Sequence, residues 1–190
     1  MLQFFCCALF LLNSPISHAL AIEAKQIEKQ LSKPALFGLS KTEIADLQRF
    51  YAARNHQPVW ITSEPELALL ETALTFIANA ESEGLDSHDY HLQQLQLLQQ
   101  QIGQSLPAAI ELEIRTTHAL LILARDLSRG RFTAAKADED WHIPQAGFDA
   151  VAFLREAIKT NRLQQSLNDL PPKQPSYQLL KQTLARYQAL

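Results

Sequence analysis

The stretch from Pro107 to Gly130 constrains the fold of this chain more than any other. Pro107 suits a first helical turn, where its missing N–H costs nothing. Gly130 suits the backbone just past a last turn. Between them Ile110, Ile114, Leu120, Leu121, Leu123 and Leu127 spread over a wide arc of one long helix, from about 108 to 128. That pattern predicts burial over much of the helix circumference.

Shorter helical stripes lie on both sides. Ser40 and Glu43 form a capping-box pattern, followed by Ile44, Leu47, Phe50 and Tyr51 on one face. Pro58 pushes Gln57 out of the helical region and makes 57–60 extended. Ser63 and Glu66, with Pro65 in the first turn, begin the stripe Leu67, Leu70, Leu74 and Ile77, and Gly84 is placed for a left-handed cap. Asp86 or Ser87 can cap a third helix carrying Leu92, Leu95, Leu98 and Ile102. After the mixed, charged connection 131–147 come Val151, Leu154 and Ile158, then the short Leu163, Leu167 and Leu170. Past Pro171, Pro172 and Pro175, the residues Tyr177, Leu180, Leu184 and Tyr187 predict a last amphipathic helix. No alternating β-branched run is long enough for a strand. The expected fold is all-α, a single multi-helix domain of about six to seven helices with no internal repeat.

Leu2 to Leu12 are apolar apart from Gln3, and Ala19-Leu20-Ala21 is the small-x-small pattern of a signal-peptidase site. The expectation is a leader over 1–21 cleaved after Ala21, an N-terminal extension over 22–39, and the helical domain over 40–190. The apolar run is too short to span a bilayer, so no stable membrane insertion is expected after cleavage. The only cysteines, Cys6 and Cys7, leave with the leader, and the processed chain keeps neither a disulfide nor a thiol nucleophile. Its formal charge of −3 offers no global attraction to nucleic acid. Hydrophobic residues at 47% and charged residues at 19% fit a packed globular domain.

Candidate chemistry is sparse. His88 and His91 would share a helix face, and a zinc site would need a third ligand from His56, His118 or His142; exposed histidines at a helix start are the plainer reading, and no metal or other cofactor is expected. Glu111 with Glu113, and Glu81 with Glu83, fall two apart and diverge on a helix, which reads as solvated surface charge rather than a paired acid and base. Asp138, Glu139 and Asp140 sit in the connection. No G-x-S-x-G elbow and no Gly-rich phosphate loop occurs. Arg125, Arg129, Arg131 and Lys136 cluster around Gly130. They either compensate a helix dipole and pair with 138–140, or meet carboxylates on a polymer or partner. Trp60 and Trp141 flank loop segments, as core lids or as contact anchors. The candidate partner-contact residues are Trp60, Arg129, Arg131 and Trp141; no catalytic residue is assigned.

Four pieces of the chain, in order, resemble a known family. The stretch 47–60, with Phe50-Tyr51, Arg54, Pro58 and Trp60, looks like the opening of the N-terminal scaffold region of YcbB-type murein L,D-transpeptidases. Ala80, Gly84-Leu85 and Asp89-Tyr90 resemble its next step, with Ser87 where that family usually has Pro. The long helix ending Arg125 to Arg131, and Leu170-Pro171 followed by Tyr177, Leu180 and Leu184, are similar to its later pieces. The resemblance covers about 40–190. It implies a helical support region, separate from the small peptidoglycan-binding module and the cysteine-bearing catalytic domain of that family, neither of which this sequence contains. The expected function is therefore a non-catalytic periplasmic module that binds peptidoglycan or a cell-envelope protein. The alternatives are a truncated remnant of a transpeptidase, with its catalytic domain lost or separately encoded, and an unrelated zinc-dependent hydrolase.

Overall fold

The computed structural model describes residues 22–33, 35–61, 64–131 and 147–189. The expected leader, the Ser63 cap and the stretch containing Trp141 and Asp138, Glu139 and Asp140 lie outside them. Eight α-helices are present among the described residues: α1 (Ala24–Leu31), α2 (Lys41–Ala52), α3 (Glu64–Ala78), α4 (Leu92–Gln99), α5 (Leu106–Arg129), α6 (Ala150–Lys159), α7 (Leu163–Asn168) and α8 (Pro175–Gln188). Short 3-10 turns occupy Leu36–Gly38, Asn79–Glu83 and Ser87–Tyr90. The fold is all-α, as the apolar spacing predicts.

Helix α5 is the axle. Helices α1, α2, α3, α4 and α6 all pack on it, as does the Ser87–Tyr90 turn. Ala109, Leu112, Ile114, Leu120, Leu121, Leu123 and Ala124 are buried around its circumference, as expected for a helix apolar over a wide arc. Ser105 caps its start by accepting from the Ala108 N–H, and Gly130, at φ 76°, ends it.

The Ser40–Glu43 capping box forms as the sequence predicts. The Ser40 N–H donates to Glu43 Oε2 at 2.8 Å, and the Glu43 N–H donates to Ser40 Oγ at 3.3 Å. Gly84 takes the left-handed conformation expected of it, at φ 76°.

Two local differences stand out. The segment expected to be an extension contains α1, which buries Ile27 and Leu31 and packs on α2 and α5. Its last turn is tied down by the Gln48 side-chain amide, which donates to the Leu31 carbonyl at 3.1 Å. The third helix also starts later than the Asp86 cap suggests. Asp86 does cap, accepting from the His88 N–H at 2.8 Å, but it caps only the Ser87–Tyr90 turn. His91 then enters the left-handed region at φ 57°, and α4 begins at Leu92. A non-glycine residue in that conformation breaks helical continuity.

Candidate functional site

The most polar place in the core surrounds Glu113. Its side chain sits on the buried stripe of α5 between Ala109 and Thr117, and it is fully buried. Its Oε1 accepts from the Val59 N–H at 2.7 Å and from the Tyr51 hydroxyl at 2.9 Å; its Oε2 accepts from the Trp60 N–H at 2.8 Å. The Trp60 indole N–H donates to Thr117 Oγ1 at 2.9 Å, and Thr117 lies 2.8 Å from the Tyr51 hydroxyl. One consistent set of protons runs from indole to threonine to tyrosine to carboxylate. Burial pushes the Glu113 carboxyl up from its usual range, against the pull of these three donors and of Arg54. Burial, and then Glu113 itself, push the Tyr51 hydroxyl well up.

Glu113 is thus an acceptor for backbone that leaves α2 and would otherwise carry orphan N–H groups into the core. Arg54 completes the corner, donating from Nε to the Gln57 carbonyl at 2.7 Å and from Nη2 to the Pro58 carbonyl at 3.0 Å. This corrects two expectations. Glu113 is not solvated surface charge, because its stripe on α5 faces inward. Trp60 is not a contact anchor: it is fully buried and its N–H is already bonded. The plainer reading of that indole, a lid on the core, describes it.

The arginines at the end of α5 are partnered rather than bare. Arg125 pairs with Asp46 of α2. Arg131 pairs with Asp89 and lies 3.9 Å from Asp126. Tyr90 donates to Asp126 at 2.8 Å, so the turn before α4 grips the last turns of α5. Burial raises the Asp126 carboxyl, opposed by the Tyr90 donor and by Arg131. Asp46 and Asp89 come from distant segments; the acids at 138–140 that sequence proximity suggests lie outside the described residues. Arg129 is exposed and, with Arg49, Arg125, Asp46, Phe148 and Asp149, lines an open cleft of about 660 Å³. Across it Arg49 grips both oxygens of Asp149, at 2.9 and 2.6 Å. Asp149 also caps α6, accepting from the Val151 and Ala152 N–H groups at 3.0 and 3.1 Å. The backbone donors, chiefly Ala152, and the guanidinium hold its carboxyl below the usual range.

His88 and His91 take different partners. His88 Nδ1 lies 2.8 Å from Asp86 Oδ1. His91 turns away and stacks on His118, with centroids 6.4 Å apart. His118 Nε2 meets Glu43 Oε1 at 3.0 Å. His142 lies outside the described residues. Among the described residues no group of three or more His, Cys, Asp or Glu side chains is gathered to hold a metal, and no helix is long and apolar enough to cross a membrane.

On the opposite side of the end of α5 Glu83 accepts from the Tyr177 hydroxyl at 2.7 Å and from Lys181, fastening α8 to the Asn79–Glu83 turn. Burial, followed by Glu83, raises the Tyr177 hydroxyl above its ordinary value. Glu83 and Glu113, read from spacing as surface charge, are both structural acceptors.

In every piece described so far, the distinctive side chains hold one segment to another. This is the class of a helical support domain. The Scaffold domain family model matches residues 45–184, and the chain belongs to that family. No curated protein matches it, and no solved structure does.

Proposed function

We propose that the protein is a non-catalytic support module of the cell envelope, exported to the periplasm with its leader removed after Ala21, and acting by contact with peptidoglycan or an envelope protein. The finer affinity is with the scaffold region of YcbB-type murein L,D-transpeptidases. One observation carries this reading: the residues that make up the resemblance are spent on architecture. Tyr51 and Trp60 are locked to Glu113 and Thr117. Arg54 satisfies the carbonyls of Gln57 and Pro58. Tyr90 and Asp89 hold Asp126 and Arg131. Tyr177 holds Glu83. Side chains kept for such roles are what a support domain needs, and none is left poised to attack an acyl group. Arg129 and Arg131, at the exposed end of α5, are the contact residues of this reading.

The test incubates purified protein with tetrapeptide muropeptides and, separately, with isolated sacculi. The expected result is unchanged muropeptides together with sedimentation on sacculi or capture by an envelope protein. A 3→3 cross-linked product overturns the non-catalytic reading.

A further inference from the structure

Leu123 and Leu127 on α5 line a different cleft from Arg125 and Arg129. Two residues along a helix is about 200° of rotation, so the two clefts lie on opposite sides of the end of α5. This second cleft, about 680 Å³, is walled by α3, the Asn79–Glu83 turn, α7 and α8. That volume suits a small-molecule or short-oligomer ligand.

The chemistry of its lining is selective. Glu71, Thr75, Asn79, Gln164 and Asn168 project along it around the half-buried Phe76 ring. Among the described residues none of those five polar side chains makes a hydrogen bond or ion pair, so their donors and acceptors are unspent. Among the described residues that line the cleft the one cation, Lys181, is committed to Glu83. A phosphate or carboxylate ligand would therefore meet uncompensated Glu71 and no free positive charge. A greasy ligand would leave the amide and hydroxyl groups stripped of water and unpaired, which is unfavourable. What matches three amides, a hydroxyl and a carboxylate beside an aromatic face is a neutral chain of hydroxyl groups with apolar ring edges.

We propose that the α3–α7–α8 cleft binds a saccharide, with Glu71, Asn79 and Asn168 bonding its hydroxyls and Phe76 lying against a ring face. This goes beyond the contact role of the arginine end. It rests on the envelope reading only for where such a sugar would come from.

The test is a titration of the 15N-labelled protein with chitotetraose, an amino-sugar oligomer of the wall type, and with maltotetraose, a plain glucan. Amide shifts are expected at 71–83, 164–168 and 181, with at least one of the two sugars. The double variant Glu71→Ala/Asn168→Ala, at exposed positions, should keep the dispersed spectrum and bind at least about thirtyfold more weakly, as the loss of one charged and one neutral hydrogen bond predicts. Absence of binding by both sugars, shifts confined to other faces, or equal affinity in the double variant would each overturn the proposal. The double variant is also sedimented with sacculi. If chitotetraose shifts map to the cleft, sedimentation should weaken with the variant. If sacculi bind a chain whose cleft takes neither sugar, the saccharide cleft is wrong while the envelope reading stands; if the cleft takes a sugar but the chain does not sediment, the reverse holds.

Discussion

The Glu113 corner and the α8 clasp are both built from a glutamate that takes a tyrosine hydroxyl, yet they differ in what surrounds the carboxylate. Glu113 is fully buried, and so are Tyr51 and Trp60, which donate to it. Glu83 keeps 15% side-chain exposure and holds a helix with no buried residue of its own. Leu179, Leu180 and Tyr187 of α8 are 64%, 68% and 71% exposed, so apolar burial does not hold that helix down. The same acceptor chemistry therefore does two jobs: in a dry site it fixes a chain path, and in a wet one it fastens a detachable element. Water decides, because an acceptor lost from a dry site leaves donors that nothing else can satisfy.

The largest expected effect comes from breaking the dry side. Glu113→Ala strands the Val59 and Trp60 N–H groups, while the Tyr51 hydroxyl keeps the main-chain carbonyl of residue 113 at 3.0 Å, and should cost on the order of 4 kcal/mol in urea unfolding. Glu113→Gln is the discriminating variant, since it preserves volume. Its carbonyl can replace Oε1, but its amide then faces the Trp60 N–H, donor against donor. About 2 kcal/mol is expected. A Gln variant as stable as the parent would mean that the carboxylate is not holding that backbone.

What could be read from the sequence follows from the same distinction. Local signals were legible: the Ser40 box, the arc of α5, the Gly84 and Gly130 caps, and Pro58, which keeps 57–60 out of a helix. Partners across the fold were not. Glu113 stands four residues from both Ala109 and Thr117, so its place on the inward stripe was there to see. A charged residue is rarely buried without partners, and its partners here are backbone groups more than fifty residues away. Helix α1 was hidden because charged and amide side chains outnumber Ile27 and Leu31. His91 broke the expected helix because positive φ in a non-glycine residue leaves little trace in sequence. The arginine cluster was visible, but its acids Asp46 and Asp89 come from other elements, and only folding pairs them.

A second effect sharpens the comparison through pH. His118 is nearly sealed, at 4% exposure. Burial lowers its pKa below 6.5, against the pull of Glu43 on α2, with His91 across the stack and Arg115 on the same helix adding to the lowering. A folded-state pKa below the unfolded one means the unfolded chain takes the proton first. The stability contributed by neutral His118 is therefore complete above about pH 6.5 and drains away as the pH falls through the folded value. Glu113, raised by burial, has the opposite sign: its contribution is full below its ordinary range and is lost as the pH rises through its folded value. His118→Gln keeps a donor for Glu43 and does not titrate, and it leaves Glu113 unchanged. Urea midpoints at pH 7.5, 6.0 and 5.0 should show the parent losing ground to this variant as acidity rises. A constant difference would show that His118 is not protonated preferentially in the unfolded chain.

The smallest effect lies on the wet side, where the comparison is most exposed to failure. Glu83→Gln removes the ion pair to Lys181 but leaves an acceptor for Tyr177. Partly solvated pairs of this kind contribute less than about 1 kcal/mol, and α8 packs mainly on the Asn79–Glu83 turn. Global unfolding should barely move. Hydrogen exchange should instead quicken by about threefold to fivefold in α8 amides alone, because a helix held by a few polar contacts, at Glu83 and at the Glu81 carbonyl, opens without the rest. The α5 amides around Glu113 should exchange as before. If α5 quickened in step with α8, the two regions would open as a single unit, and the contrast between a sealed corner and a detachable helix would be wrong.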